Sequence, residues 1–172
     1  MNLSELVLNA NTGADAIKRA PIVEEDTGIK CLRIGDVSQK RSYSNWGNTK
    51  ITDADYQRYK LEINDIIVAR TGNTVGVNSF IEDDVNSVYN NGLIRIKADE
   101  TKVIPRYLWY IISGKQCQDF IQSIAFGTST QPNMKINDFL SFSFEYRDIE
   151  TQDKIISVID PIDKKIKTNE AI

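Results

Sequence analysis

Short apolar stretches bounded by turn residues dominate the first hundred residues, and this pattern predicts β-strands. Residues 3–13 predict either one helical turn or a short strand, closed by Asn11, Thr12 and Gly13. A hairpin is expected to turn at residues 71–73, because Gly and Asn tolerate a positive φ. The predicted strands span residues 28–35, 65–70, 74–81 and 93–97.

Helical periodicity replaces strand alternation in the second half of the chain. Pro105 suits the first position of a helix, and apolar residues recur at three- and four-residue steps up to Ala125, with a kink or break expected at Gly114. Thr52 is a predicted N-cap for a short helix over residues 53–60. From residue 150 the pattern predicts two helical pieces that meet at Asp160, because Pro161 lacks the N–H that a helix interior needs.

Two further segments complete the expected architecture. Alternation of Leu140, Phe142, Phe144 and Tyr146 with polar residues predicts another strand, and residues 38–50 have no period and are predicted to form a loop. The expected fold is of the α/β class (α+β type), with a mixed, mainly antiparallel sheet, packed helices and a C-terminal helix. The expected division is a domain over residues 1–150 followed by a helical segment over residues 151–172.

The two glycines at positions 72 and 76 raise the question of a phosphate-binding loop. Such a loop needs four residues between its glycines, followed by a lysine and then Ser or Thr. Here three residues separate Gly72 from Gly76, and Val77 stands where the lysine is needed. The stretch is therefore interpreted as the corner of a sheet.

Composition narrows the chemistry that the chain can perform. The chain of 172 residues is long enough for one domain with its own core, and it contains no histidine, which excludes Ser-His and Cys-His mechanisms. Cys31 and Cys117 lie too far apart to suggest a metal site, so no metal is expected. The sequence has no apolar stretch long enough for a membrane helix and no signal-peptide pattern, which makes the cytoplasm the expected location and a membrane an unexpected partner.

The distribution of charge is more informative than the net charge of −3. No acidic residue lies between Asp36 and Asp53, and this interval combines cations that suit phosphates with amides that suit base edges and aromatic rings that suit stacking. The alternative is a solvated surface loop with Trp46 folded onto the core. The candidate nucleic-acid-binding residues here are Gln39, Lys40, Arg41, Tyr43, Asn45, Trp46, Asn48 and Lys50.

Three other cations are weaker candidates because they lie at strand ends or in irregular segments. Arg70 ends a predicted strand, and it either contacts phosphate or forms an ion pair with a carboxylate such as Asp65 or Asp36. Lys18 and Arg19 either contact nucleic acid or are ordinary surface charges. The polar segment 127–135 is also dense in hydrogen-bonding groups, namely Thr128, Ser129, Thr130, Gln131, Asn133 and Lys135.

Four segments in series resemble the target recognition domain of the specificity subunit of type I restriction-modification systems. They are GIKCLRIGDV, ITDADYQRYKLEINDIIVARTGNTVG, IPRYLWYIISGKQCQDFIQSIAFGTSTQPNMKINDFLSF and TQDKIISVIDPIDKKIKTNEAI. The resemblance covers residues 3–172 and implies an α/β domain that reads one half of a split DNA target. It also implies a following helix that docks DNA methyltransferase subunits, and through them a restriction subunit.

The resemblance implies no cofactor in this chain, since S-adenosylmethionine is expected on the partner methyltransferase. It leaves two origins open, because the chain is either a half-size subunit that pairs with a copy of itself or a fragment of a longer protein. Partner or homodimer contacts are expected along the apolar stripe of the tail. The stripe consists of Ile155, Ile159, Ile162 and Ile166.

An enzyme and a protein-interaction module are the two alternative classes of protein. For an enzyme, Asp84 with Glu100 and Lys102 only loosely imitates a metal-dependent nuclease, and Asp160-Pro161-Ile162 lacks the second proline and the aromatic residue of a methyltransferase tetrapeptide. The chain is therefore expected to be catalytically inert. The other rival is an interaction or assembly module that acts through its C-terminal helix and binds no DNA.

Overall fold

The computed structural model describes residues 1–126 and 131–170. Short 3-10 turns lie at Leu3–Glu5 and Tyr43–Asn45. The strands of the described residues, β1 to β8, span Val7–Thr12, Ile22–Val23, Lys30–Leu32, Gly47–Thr49, Ile66–Ala69, Asn78–Phe80, Ser87–Tyr89 and Leu93–Ala98. Their α-helices, α1 to α6, span Ile34–Ser38, Asp53–Tyr59, Pro105–Ser113, Lys115–Ala125, Ile136–Leu140 and Ile149–Glu170.

The strands form two four-stranded sheets. The first sheet has the order β1-β8-β5-β6, and all its neighbours are antiparallel. The second sheet has the order β2-β4-β3-β7, in which β3 and β7 pair in parallel and the other neighbours are antiparallel. The expectation of an α/β fold with mainly antiparallel sheet is therefore confirmed.

The first sheet separates two hydrophobic cores. Ile66 and Val68 of β5 face a cluster that includes the buried residues of α3, α4 and α5, whereas Ile67 and Ala69 face the cluster shared with the second sheet. Residues on opposite faces of a strand alternate, so a strand that is buried on both sides reads as a continuous apolar run. This burial explains why the sequence of β5 is almost entirely β-branched.

Three local predictions are confirmed by the helices and the hairpin. The Thr52 side chain caps α2 by accepting a hydrogen bond from the Asp55 N–H at 3.2 Å. The long helical pattern breaks at Gly114, which separates α3 from α4. Strands β5 and β6 form the expected hairpin, and Gly72 and Gly76 adopt φ values of +77° and +92°.

Residues 28–50 differ from the prediction in two respects. The strand ends at Leu32 rather than near residue 35, because the Asp36 carboxylate accepts the Arg33 N–H at 3.0 Å and starts α1. The predicted loop over residues 38–50 contains strand β4, whose partners β2 and β3 are separated from it in sequence. The length of this three-residue strand gives no periodic signal, so the prediction missed it.

The strand predicted over residues 140–146 is wrong. Residues up to Leu140 belong to α5, and the following residues run extended beside the N-terminus, where the Leu3 N–H bonds to the Phe142 oxygen at 3.0 Å. Phe142 is buried, and Phe144 packs partly buried against the first core. The alternation therefore reflects burial of one side of an extended segment that lies outside both sheets.

The predicted joint at Asp160 is also wrong, because α6 continues through Pro161 as one helix. Asp148 caps the start of the helix, since its carboxylate accepts the Thr151 N–H at 2.8 Å. Gln152 is fully buried and fixes the first turns of α6, since its amide oxygen accepts the Ile104 N–H at 2.8 Å and its amide nitrogen donates to the Arg147 oxygen at 2.7 Å. Tertiary contacts of this kind outweigh the intrinsic cost of a proline in a helix.

Candidate nucleic-acid interface

The segment after α1, residues 39–45, is called the loop tip. Its side chains are exposed apart from the half-buried Tyr43. The loop tip contains two amides, three hydroxyls and two cations, and it contains no carboxylate. These groups match the donors and acceptors that position phosphates and contact base edges.

Arg41 is held in place at the base of the loop tip. Its Nη1 donates to the buried Asp36 carboxylate at 3.2 Å, and its Nη2 and Nε donate to the Gln39 side-chain oxygen at 2.7 and 3.1 Å. The Arg41 side chain is nevertheless 46% exposed. Arg41 therefore has a structural role as the partner of a buried carboxylate, and its guanidinium is presented to solvent in one orientation.

Trp46 is folded onto the core, as the alternative interpretation of this segment expected. It is 9% exposed, and its ring nitrogen donates to the Arg41 backbone oxygen at 3.0 Å. Tyr43 packs edge to face against it with ring centroids 5.4 Å apart. The structure therefore places the Trp46 ring under the loop tip, where it supports the tip and does not offer a face for base stacking.

The remaining residues of the predicted set lie around β4. Asn45 is exposed and donates to the Ser42 hydroxyl at 3.0 Å. Asn48 is half-buried in the central strand β4, between Val23 and Lys30. Lys50 is exposed and pairs with Glu25 at 2.8 Å, and this contact raises the pKa of Lys50 above its ordinary value.

Arg70 lies apart from the loop tip, in a seam between two polar turns. Its Nη2 donates to the Asn133 side chain at 3.2 Å, and the Arg70 oxygen accepts the Met134 N–H at 2.8 Å. The carboxylates suggested as its ion-pair partners are used elsewhere, since Asp36 pairs with Arg41 and Asp65 with Lys97. Thr128, Ser129 and Thr130 lie outside the described residues, so the structure gives no placement for the first part of that polar segment.

Lys18 and Arg19 belong to a turn organised by Asp15. The Asp15 carboxylate accepts the Lys18 and Ile17 N–H groups at 2.7 and 3.0 Å, and these bonds hold the pKa of Asp15 below its ordinary value. Arg19 pairs with Asp55 of α2 at 2.6 Å. The structure thus brings Gln39, Arg41, Tyr43 and Trp46 together, whereas Lys50, Arg70 and Arg19 each have contacts of their own.

The C-terminal helix α6 packs on the domain along its first half. Ile155 and Ile156 contact the first core, and Ile159 is half-buried. Val158, Ile162 and Ile166 are 65%, 56% and 51% exposed. The apolar stripe predicted from the sequence is therefore divided between intramolecular packing and a solvent-facing surface.

A groove of about 950 Å³ lies between the loop tip and the far end of α6. Arg41 and Tyr43 line one side, Ile166 and Lys167 the other, and Trp109 also contributes to its lining. This groove could not be predicted from local sequence patterns, because its walls include residues more than 120 positions apart. Trp109 is held there by a hydrogen bond from its ring nitrogen to the Asn78 side chain at 2.7 Å.

The cysteines, possible metal ligands and helix hydropathy of the described residues bear on catalysis, metal binding and membrane insertion. Burial raises the pKa of Cys31 and Cys117 to about 12, so both thiols are poor nucleophiles at neutral pH. Among residues 1–126 and 131–170, no cluster of three His, Cys, Asp or Glu side chains has a geometry suited to a metal ion. Likewise, no helix in the described part of the chain combines the length and the hydropathy needed to cross a membrane.

Fold and surface together define an α/β domain with an exposed polar loop and a C-terminal helix whose second half extends beyond the hydrophobic core. The family model of the type I restriction modification DNA specificity domain matches residues 7–172. The chain belongs to this family. The resemblance inferred from the four sequence segments is thereby confirmed.

Individual relatives agree with the family assignment. The chain is 30% identical over 95 residues to the HindI specificity subunit of a type I restriction enzyme from Haemophilus influenzae, a match that covers 54% of this chain and 21% of that protein. The S subunit of a type I restriction-modification system from M. genitalium superposes with a TM-score of 0.69 at 17% identity, covering 99% of this chain and 40% of that one. The HsdS subunit from Thermoanaerobacter tengcongensis gives 0.64 at 12% identity, with coverage of 98% and 42%. The structural matches show a shared fold, and this chain spans less than half the length of these relatives.

Proposed function

We propose that this chain reads one half of a bipartite DNA target for a type I restriction-modification system and recruits DNA methyltransferase subunits. The observation that carries the proposal is the family match over residues 7–172, which includes both the loop tip and α6. Each specificity subunit that the chain resembles is more than twice its length, so the chain accounts for one recognition unit and its helix.

The loop tip is the proposed contact surface for DNA. Lys40 and Arg41 supply positive charge without a carboxylate inside the tip, and Gln39 and Asn45 supply amides of the kind that read adenine. Arg41 is already oriented by Asp36 and Gln39, so binding through its guanidinium costs less side-chain entropy than binding through a free arginine. Lys50 is an accessory contact, because its exposed pair with Glu25 contributes little and can be exchanged for a phosphate.

Partner recruitment is assigned to α6. The exposed Val158, Ile162 and Ile166 provide an apolar surface for a methyltransferase subunit or a second copy of the chain. In this proposal the chain performs no chemistry itself, S-adenosylmethionine binds to the methyltransferase, and a restriction subunit joins through it. The expected location of such a system is the cytoplasm.

The rival interaction module would use the same face of α6 without binding DNA, and the salt dependence of affinity separates the two functions. In the complex with methyltransferase subunits, DNA affinity should fall with salt, with a log-log slope of about −0.9 for each phosphate neutralised. Lys40→Gln should reduce the steepness of that slope by about 0.9, whereas Asn45→Ala should weaken binding to the target without changing the slope.

Lys115→Gln provides a matched control, because Lys115 is an exposed lysine at the start of α4 that already pairs with Asp119. This variant should bind DNA like the unmodified chain. Fluorescence anisotropy across a salt series gives both affinity and slope. An affinity that is independent of salt and of Lys40 would favour the interaction module and contradict the proposal.

A further inference from the structure

Arg106, in the first turn of α3, connects three carboxylates from two other parts of the chain. Its Nε donates to Asp160 at 2.7 Å and its Nη2 to Asp163 at 3.2 Å, both in α6. Its Nη1 donates to Glu82, in the connection after β6, at 2.5 Å. The Arg106 side chain is 12% exposed, so these bonds are largely shielded from solvent. These four residues are called the Arg106 cluster.

Aromatic rings fix the plane of the guanidinium. The Arg106 Cζ atom lies 4.7 Å from the Trp109 ring centroid, 5.1 Å from that of Phe80 and 5.2 Å from that of Tyr110. The Tyr110 hydroxyl also donates to Asp160 at 2.6 Å. The planar guanidinium of Arg106 stacks on these rings and bonds to carboxylates through three nitrogens, an arrangement that the single ammonium group of a lysine cannot reproduce.

The Arg106 cluster spans the weakest point of α6. Pro161 has no N–H to donate to the carbonyl four residues earlier, and a proline inside a helix costs about 3 kcal/mol. Asp160 and Asp163 lie on either side of this break in the helical ladder. Arg106 therefore bridges two parts of the helix at the point where the ladder has lost a bond.

The contacts that hold α6 to the domain differ before and after Pro161. Before Pro161, Ile155 and Ile156 pack against the first core. After it, Ile162 and Ile166 are more than half exposed. The segment beyond the proline, residues 161–170, is held to the domain by polar contacts, including those of Asp163 with Arg106 at 3.2 Å and of Lys167 with Glu82 at 3.1 Å.

We propose that Arg106 is a positioning residue that fixes the direction of residues 161–170 relative to the domain. Because this segment lines the groove beside the loop tip, its direction sets where a partner held on α6 stands relative to the proposed DNA surface. The structural part of the inference stands on the contacts alone. Its consequence for DNA recognition rests on the proposed function.

Spin-label distances test the structural part. Cysteines introduced at the exposed positions Gln116 of α4 and Asn169 of α6 report the direction of the segment, and Gln116 with Asp153 reports the half before the proline. Residue 169 lies about 13 Å beyond the break, so a kink of about 20° would displace it by about 5 Å. Arg106→Gln should shift or broaden the first distance distribution by about that amount and leave the second unchanged.

The matched background is Pro161→Ala, which restores the missing hydrogen bond of the helix. In this background an unbroken helix connects the packed first half of α6 to residue 169, so Arg106→Gln should no longer move residue 169. A loss of folding stability alone would affect both backgrounds equally, which separates positioning from a general structural role. Arg106→Lys, which keeps the charge and loses the fork, should give an intermediate displacement if Arg106→Gln does not fold. Equal distributions with and without Arg106 when Pro161 is present would overturn the inference.

A second readout concerns recognition in the assembled complex. Arg106→Gln should reduce discrimination between targets whose two half-sites are separated by different spacers, and Pro161→Ala should restore it. If the unmodified complex binds no DNA, the proposed function fails while the spin-label result still decides the role of Arg106. If DNA binds and spacer discrimination is unchanged in Arg106→Gln, the consequence for recognition is refuted.

Discussion

Replacement of Trp46 by alanine tests whether this ring supports the loop tip or contacts DNA. The ring is 9% exposed, donates to the Arg41 oxygen at 3.0 Å and packs edge to face on Tyr43. Loss of the buried ring costs about 2–3 kcal/mol, loss of its hydrogen bond about 1 kcal/mol and loss of the aromatic pair about 0.5–1.5 kcal/mol. Trp46→Ala should therefore destabilise the chain by about 3–5 kcal/mol, the usual range for a buried tryptophan.

Urea denaturation followed by circular dichroism measures this free energy of unfolding. Trp46→Phe is the matched control, since it keeps an aromatic ring against Tyr43 and loses the ring N–H, with an expected cost of about 1–2 kcal/mol. At the temperature where both proteins remain folded, Trp46→Phe should bind DNA like the unmodified chain. If Trp46→Ala leaves the unfolding midpoint unchanged but abolishes DNA binding, Trp46 is a contact residue and the reasoning from its burial is wrong.

Two further predictions concern ion pairs. Arg41→Ala leaves the buried Asp36 without its charged partner and should cost about 1–2 kcal/mol of unfolding free energy. Lys50→Ala, which removes the exposed pair with Glu25, should leave the free energy of unfolding nearly unchanged. Equal effects in urea denaturation would contradict the distinction. Burial alone would raise the pKa values of Asp160 and Glu82, but hydrogen bonds outweigh it and lower them from their ordinary values of 3.8 and 4.5. Asp160 accepts these bonds from Tyr110 and Arg106, and Glu82 accepts them from Arg106 and Lys167. The stabilising effect of these two carboxylates is therefore present above their ordinary pKa values and is lost as the pH falls through the lowered pKa values. Acid should accordingly destabilise the unmodified chain more than the Arg106→Gln variant between pH 5 and pH 3, roughly the range in which carboxylates titrate. Parallel loss of stability in both proteins would show that the Arg106 cluster does not contribute.

Local patterns predicted much of the scaffold. The apolar stretches of β5 and β8 and the stripe of α3 and α4 each depend on residues that are close in sequence, so local patterns were sufficient to find them. Strand β7 was missed because its parallel partner β3 lies more than fifty residues earlier, and a three-residue strand carries no periodic signal of its own. The same limit explains β4.

The candidate site was predicted less completely than the fold. Composition selected the segment that contains the loop tip as the candidate, which stays a prediction, but composition could not show that Trp46 points inward or that Arg41 pairs with Asp36. The Arg106 cluster was not foreseen, because nothing adjacent to Arg106 in sequence indicates that Asp160 and Asp163 meet it in space. The contacts of Arg106 with Asp160 and Asp163 hold α6 on both sides of Pro161, where local rules predicted a joint between two helical pieces.

The most direct test of the account is to exchange residues 39–45 for the corresponding loop of another member of the family. The measurement is sequencing of methylated sites in cells that carry the exchanged chain together with its methyltransferase subunits. The account predicts that one half of the bipartite methylated sequence changes and the other half stays the same. An unchanged methylation pattern from a folded, assembled complex would show that the loop tip does not read DNA.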